Sequence, residues 1–160
     1  MQWSLLATLL HVVVAVIFTA GLIGRRILLT RSAHAETVET AFLLSQAAAP
    51  FERLVISFSQ LILPTGLLAA WARGYSWIGL GTPWIVAAIV LTLSVLPFVY
   101  FVLVPRGRNF EAAMTDARAR GDWTSELRAA FADPSVALAR RWEFVSVGLV
   151  LALMVVKPTF

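Results

Sequence analysis

Residues 4–24 read SLLATLLHVVVAVIFTAGLIG, and this stretch decides what kind of chain it belongs to. Only His11 can carry a charge within it, and Arg25-Arg26 closes the run. A helix rises about 1.5 Å per residue, so about 20 residues cross a hydrocarbon core of roughly 30 Å. A helix of a soluble protein needs one apolar stripe, whereas this block is apolar on every face. It is expected to cross a bilayer. A cleaved secretory signal is the competing reading. The opening MQWSLL has no basic segment, and Arg25, Arg26 and Arg31 precede the A-x-A-like Ser32-Ala33-His34-Ala35. Both features contradict a signal peptide.

Working outward, three more blocks of this kind follow. Residues 54–71 (LVISFSQLILPTGLLAAW) end before Arg73-Gly74. Residues 84–104 (WIVAAIVLTLSVLPFVYFVLV) open with Thr82 as a helix cap and Pro83 at the first helical position, and close at Pro105-Arg106. A fourth span is expected over 135–157, because Asp133-Pro134-Ser135 is a helix-start signal. It would carry Arg140, Arg141, Trp142 and Glu143 at headgroup level. The expected fold is all-α: a polytopic four-helix transmembrane bundle forming a single domain over 1–160, with spans at about 4–24, 54–71, 84–104 and 135–157.

Composition agrees. Of 160 residues, 59% are apolar and 14% charged, too little charge to cover a soluble domain of this size. The mean hydropathy is +0.82. There is no cysteine, which excludes disulfides, thiolate metal sites and cysteine nucleophiles. The net charge of +4 does not point to nucleic acid, because the basic residues are distributed by side. Eleven arginines fall between the first and second spans or between the third and fourth, against only Arg73 and Lys157 on the other side. The arginine-rich side is therefore expected to be cytoplasmic and both termini to lie outside. Trp3, Trp71, Trp77 and Trp84 mark the outer interface, Trp123 and Trp142 the inner one.

The cytoplasmic loops are long enough for structure. Residues 35–49 read as a short helix stopped by Pro50. Residues 109–120 and 125–132 read as two more, separated by Gly121-Asp122. Their apolar residues (Phe110, Ala113, Met114, Leu127, Phe131) share one face, suited first to lying in the membrane interface and second to docking under the bundle.

Few polar residues lie inside the spans. His11 is about 10 Å below the outer boundary by helical rise. It is aligned with Ala7, Ala15 and Thr19, a narrow face suited to close helix contact. An ionisable residue at that depth is a candidate site, and imidazole is a common axial ligand of haem iron. It can also simply hydrogen-bond across helices. The other histidine, His34, lies on the opposite side, so two histidines of one chain cannot share a haem. Arg53, Ser57, Gln60 and Pro64 form a polar stripe on the second span. Pro64 frees the carbonyl of Gln60, as Pro97 frees that of Leu93. The stripe reads as packing glue, with a substrate path as the sharper alternative. Lys157 reads as snorkelling to the outer interface, and Glu143 as a headgroup-level pair with its arginine neighbours. There is no phosphate loop, no paired carboxylate within a span, no metal-type His/Glu spacing and no nucleophile beside a base. Catalysis of the soluble kind has no support.

Leu10-His11 followed by Gly21, Pro64-Thr65-Gly66, the Pro-Arg after the third span, and the ending Leu153-Met154-Val155-Val156-Lys157-Pro158 together resemble a family of predicted bacterial integral membrane proteins, domain of unknown function 2269. The closing motif is the most specific, and the likeness spans nearly the whole chain. More distantly, the first span is similar to the opening helix of copper-resistance D proteins and of J-type protoporphyrinogen oxidases. Those carry a histidine, then small residues, then an arginine near the cytoplasmic end. The chain departs from them in having valine and isoleucine, not tryptophan, around mid-helix. What the resemblance implies is a bacterial inner-membrane protein with His11 as a candidate ligand of haem b. The expected role is a non-catalytic accessory or haem-binding subunit, self-associated or part of a larger membrane complex. The alternative is a membrane enzyme or transporter in haem or copper handling centred on His11.

Overall fold

A computed structural model describes residues 2–76 and 81–158. Trp77, expected at the outer interface, lies outside the described residues. Among the described residues the secondary structure is helical, with no strand. The elements are α1 (Gln2–Ala33), α2 (Val38–Ala72), α3 (Pro83–Ser94), α4 (Leu96–Phe98), a π-helix (Val99–Leu103), α5 (Val104–Arg120), α6 (Ser125–Phe131) and α7 (Pro134–Val156).

Helices α1 and α2 form a long antiparallel hairpin about a short turn. Thr37 caps α2 by accepting from the backbone N–H of Thr40. By helical rise the two are about 48 and 52 Å long, so both outrun a hydrocarbon core. Their seam is made by small residues. A Cβ added at Gly24 would fall 2.3 Å from Cδ1 of Phe51, and one at Gly21 would fall 3.1 Å from Cγ2 of Val55. Only hydrogen at these positions lets the backbones approach so closely.

Pro50 does not end a loop helix as the sequence reading had it. It sits inside α2, which runs unbroken from Val38 through Pro64 to Ala72. A proline removes one backbone hydrogen bond, and the packed α1–α2 seam is enough to carry the helix across that gap. Pro105 does not close the third helix either. The chain from Pro83 to Arg120 forms one long helical rod, and the π-helix at 99–103 ends with the N–H of Val104 bonded to the carbonyl of Val99. This wider turn lies where Pro105 lacks its N–H, and it lets the rod continue. The rod stops at Gly121, whose φ of 71° suits a left-handed cap. The helix start at Asp133 is as expected: its carboxylate accepts from the N–H groups of Ser135 and Val136, at 2.8 and 3.4 Å.

Helix α7 packs beside α3, with Trp142 Nε1 donating to Ser94 Oγ at 3.0 Å. At the arginine-rich end, Met114, Ala117 and Leu127 are buried against Val38 and Ala41, ringed by Phe42, Phe110, Ala113, Trp123 and Phe131. The apolar face of the α5–α6 segment is thus covered by the base of α2 rather than left for lipid. Arg118 locks this contact, donating to both Glu39 oxygens at 3.0 and 3.1 Å while lying 3.9 Å over the Phe42 ring. Among the described residues three stretches are long and apolar enough to cross a membrane: Gln2–Ala33, Val38–Ala72 and Pro83–Arg120. Their exposed surface includes Leu5, Leu9, Val16, Ile56, Val90 and Phe101. In water such a surface would be a gross liability, and in lipid it is the expected one.

Candidate functional site

Two pairs of helices, α1–α2 and α3–α7, enclose a cavity of about 950 Å³. That is at the upper end of the range for ligand pockets, roughly 300–1,000 Å³. Helices α2 and α3 scarcely touch, so the cavity is a cleft open sideways between them. Exposed Ile56 and Gln60 stand on the α2 lip, and Leu96 of α4 and Tyr100 of the π-helix, which continue the α3 rod, on the other.

His11 lies on the α1 wall of this cleft, buried in the α1–α2 seam. Its Nδ1 is 3.0 Å from Thr65 Oγ1. The Thr65 hydroxyl donates to the carbonyl of Leu61 at 2.6 Å, so toward His11 it acts as acceptor. Nδ1 must then carry the proton, and Nε2 is left with a free lone pair. Nε2 is buried and has no partner. Gly66, one residue beyond Thr65, makes the room: a Cβ there would fall 3.0 Å from His11 Cε1. Leu10-His11 and Pro64-Thr65-Gly66, far apart in sequence, therefore meet at a single imidazole.

At the other end of the cleft lies a set of charges. Arg25 is buried and donates to both oxygens of Glu52 at 3.2 Å, and through its second terminal nitrogen to Glu143. Glu143 is buried as well. Its partner is thus on α1, not the neighbouring Arg140 or Arg141 that the sequence reading favoured. Arg140, one turn before Glu143 on the same face, lines the cleft without a hydrogen bond or ion pair. Ser146, one turn beyond Glu143, is buried on the same wall with an unpartnered hydroxyl.

The polar stripe of α2 does not bridge helices. Arg53, Ser57, Gln60 and Pro64 are all exposed, and Gln60 lines the open cleft without a hydrogen bond. Met154 lines the cleft too. Counted along the helices from the Arg25–Glu143 pair, His11 lies roughly 21 Å away and Met154 roughly 16 Å. The two thus differ by roughly 5 Å in level. His34 is at the far end of α1, bonded to the Thr30 carbonyl at 2.8 Å. Among the described residues no group of three or more His, Cys, Asp or Glu side chains is placed to hold a metal ion.

Thr65, Ser146 and Arg140 carry much of this site, yet only Thr65 is marked in the sequence, and only as the middle of Pro64-Thr65-Gly66. Thr65 and Ser146 are single hydroxyls in apolar helices, and Arg140 looks like one more topology residue.

Comparisons with known proteins complete the picture. No curated protein and no solved structure matches the chain. One family does, described as predicted integral membrane protein, and the match runs over residues 5–158. The chain belongs to that family, domain of unknown function 2269, and is an integral membrane protein.

Proposed function

We propose that this is a four-span, single-domain subunit of the bacterial inner membrane that holds a ligand in its cleft and performs no chemistry of its own. In this reading α7 is the fourth span, the arginine-rich end is cytoplasmic and both termini lie outside. Helix α7 carries Arg140, Arg141 and Glu143 in its first half, and pairing with Arg25 neutralises the buried Glu143 where the helix enters the bilayer. The α5–α6 segment then sits at the cytoplasmic face, docked on the base of α2.

The observation that carries the reading is the His11 ring on the cleft wall, held by Thr65 through Nδ1 and leaving a buried Nε2 without a partner. Buried polar groups are normally satisfied, and an orphaned imidazole nitrogen is what an axial haem ligand presents. A hydrogen-bonded Nδ1–H is also the usual support of a ligating histidine. Haem b is therefore the candidate ligand, and His11 would hold it, together with Met154 or a His11 from a second copy. Haem would supply electron transfer, and the chain would bind and orient it in an apolar site. Turnover of haem or copper is less well supported, because the cleft holds no second imidazole, and its carboxylates (Glu52, Glu111, Glu143) are not in the apolar half with His11.

The test is the absorption spectrum of protein purified from its own membrane. A Soret band present in the wild type and lost in His11→Ala supports the haem reading. A colourless wild type, grown with haem available, rejects it and leaves an accessory subunit.

A further inference from the structure

The cleft is chemically polarised along its length. Toward His11 its walls are mainly apolar, with Ala15, Phe18, Val147, Val150 and Leu151 and the uncharged Thr19 and Gln60 among them. At the opposite end it is lined by Arg25, Arg53, Arg106, Arg108 and Arg140, against Glu52, Glu111 and Glu143. Arg25 is spent on Glu52 and Glu143, and Arg106 on Asp133. Arg53, Arg108 and Arg140 have neither a hydrogen bond nor an ion pair, and of these Arg140 alone is not exposed. On the same wall the hydroxyl of Ser146, only 1% exposed, is unsatisfied. An unpaired guanidinium and an orphaned buried hydroxyl on one wall are complementary to a single anionic group with several acceptor oxygens. The apolar half runs roughly 21 Å toward His11, more than the roughly 15 Å depth of one leaflet of the hydrocarbon core. The opening faces sideways, between α2 and α3, where exposed apolar residues meet lipid.

From this arrangement we propose that the cleft binds an anionic phospholipid of the surrounding bilayer. Its phosphate sits at Arg140 and Ser146, and an acyl chain lies along the apolar walls toward His11. The proposal rests on the reading of this cleft as a ligand site, though not on haem or on ligation by His11. A lateral opening admits a lipid without its leaving the membrane. The arginines stand at the end where a headgroup would remain among headgroups.

The test uses the full chain in neutral detergent. Phosphatidylglycerol is compared with phosphatidylcholine of the same acyl chains, by native mass spectrometry and by thermal stability. Wild type should favour phosphatidylglycerol by about five-fold or more, the effect expected of one arginine near an anionic lipid. Arg140→Gln should remove that preference, and Arg140→Lys should keep most of it. Neither variant breaks an ion pair, so both should fold. His11→Ala should leave the preference intact, even where it removes a Soret band, so that failure of the haem reading is separable. Equal binding of the two lipids would overturn the proposal. So would a preference untouched by Arg140→Gln, or equal stabilisation by inorganic phosphate alone.

Discussion

Arg25 on α1 and Glu143 on α7, 118 residues apart, are joined in a buried ion pair that ties the α1–α2 hairpin to the α3–α7 pair. Arg26, the next residue, adds to this tie by lying 4.7 Å over the Phe144 ring of α7. Arg25 also reaches Glu52 on α2, so one guanidinium connects three helices.

Removing one partner of a buried pair leaves the other charge without compensation, at a typical cost of about 3–5 kcal/mol. Arg25→Ala should therefore lower stability by an amount of that order, read as thermal unfolding in detergent. Glu143→Gln should cost less, because Arg25 keeps Glu52. Replacing both by apolar residues, Arg25→Met with Glu143→Leu, should recover most of the loss. A double variant as unstable as Arg25→Ala would show that the pair does more than neutralise itself.

The α1–α2 seam gives a second expectation. Gly24→Ala drives a methyl into the Phe51 ring, and overpacking of this kind costs about 1–3 kcal/mol. Trimming the ring with Phe51→Leu should restore stability in the Gly24→Ala background. Gly148 has nothing within 4 Å of an added Cβ, so Gly148→Ala should be neutral or mildly stabilising. Equal losses at the two glycines would contradict the close approach at Gly24.

How much of this was legible in the sequence follows from the same seam. Apolar block length located the three helices that are long and apolar enough to cross a membrane, and Gly121 and Asp133 announced a helix end and a helix start through their local chemistry. The pairings were lost at Pro50. In an antiparallel hairpin, residues meet in order outward from the turn, so the turn at 34–37 brings Ser32 to Ala41, then Arg25 to Glu52, then His11 to Thr65. Ending a helix at Pro50 moved the turn and erased that register. Helical rise alone gives His11 a level along its helix, but a partner on another helix needs the register as well. Glu143 was assigned to its sequence neighbours for the same reason: local spacing sees i+3 and i+4, not α1. The outward turn of the Gln60 stripe was hidden because a proline and a polar residue in a span look alike whether they face a helix or a cleft.

Gln60→Leu should accordingly change the stability of the isolated chain by less than about 0.6 kcal/mol, the mean for a transmembrane hydrogen bond, since Gln60 makes none here. Size-exclusion chromatography with light scattering adds a second reading. A shift in oligomeric state with unchanged unfolding would assign the Arg53–Pro64 stripe to contact between copies.

Outside the spans, Asp133 gives a pH dependence. Partial burial acts to raise its pKa, but donation from Arg106 and from the Ser135 and Val136 N–H groups outweighs that and holds it below the ordinary carboxylate range. A carboxylate depressed on folding contributes stability that is full above its unfolded pKa of about 3.9 and is lost as pH falls through the folded value. Wild type should lose stability more steeply below about pH 4 than Asp133→Asn, with the two curves parallel from pH 5 to 8. A difference in slope near neutrality would place the relevant titration elsewhere.

His11 offers the sharpest contrast between a ligand and a structural bridge. Its bond to Thr65 is an ordinary interhelical hydrogen bond, worth on average about 0.6 kcal/mol in a membrane protein and at most about 1.7. Thr65→Val removes the acceptor while keeping the shape, so Nδ1–H loses its partner and the tautomer is no longer fixed. If the imidazole only bridges α1 and α2, His11→Ala and Thr65→Val should each cost an amount within that range, and neither should alter any spectrum. If Nε2 ligates haem, the two variants should separate. His11→Ala should abolish the Soret band with the helical fold intact by circular dichroism. Thr65→Val should keep the haem but bind it more weakly, because second-sphere partners of ligating histidines typically contribute 10–100-fold in affinity. Gly66→Ala should resemble Thr65→Val, since its methyl presses on Cε1 of the ring. Identical, spectrally silent behaviour of all three variants would leave the orphaned Nε2 as a packing feature and remove His11 from the list of functional residues.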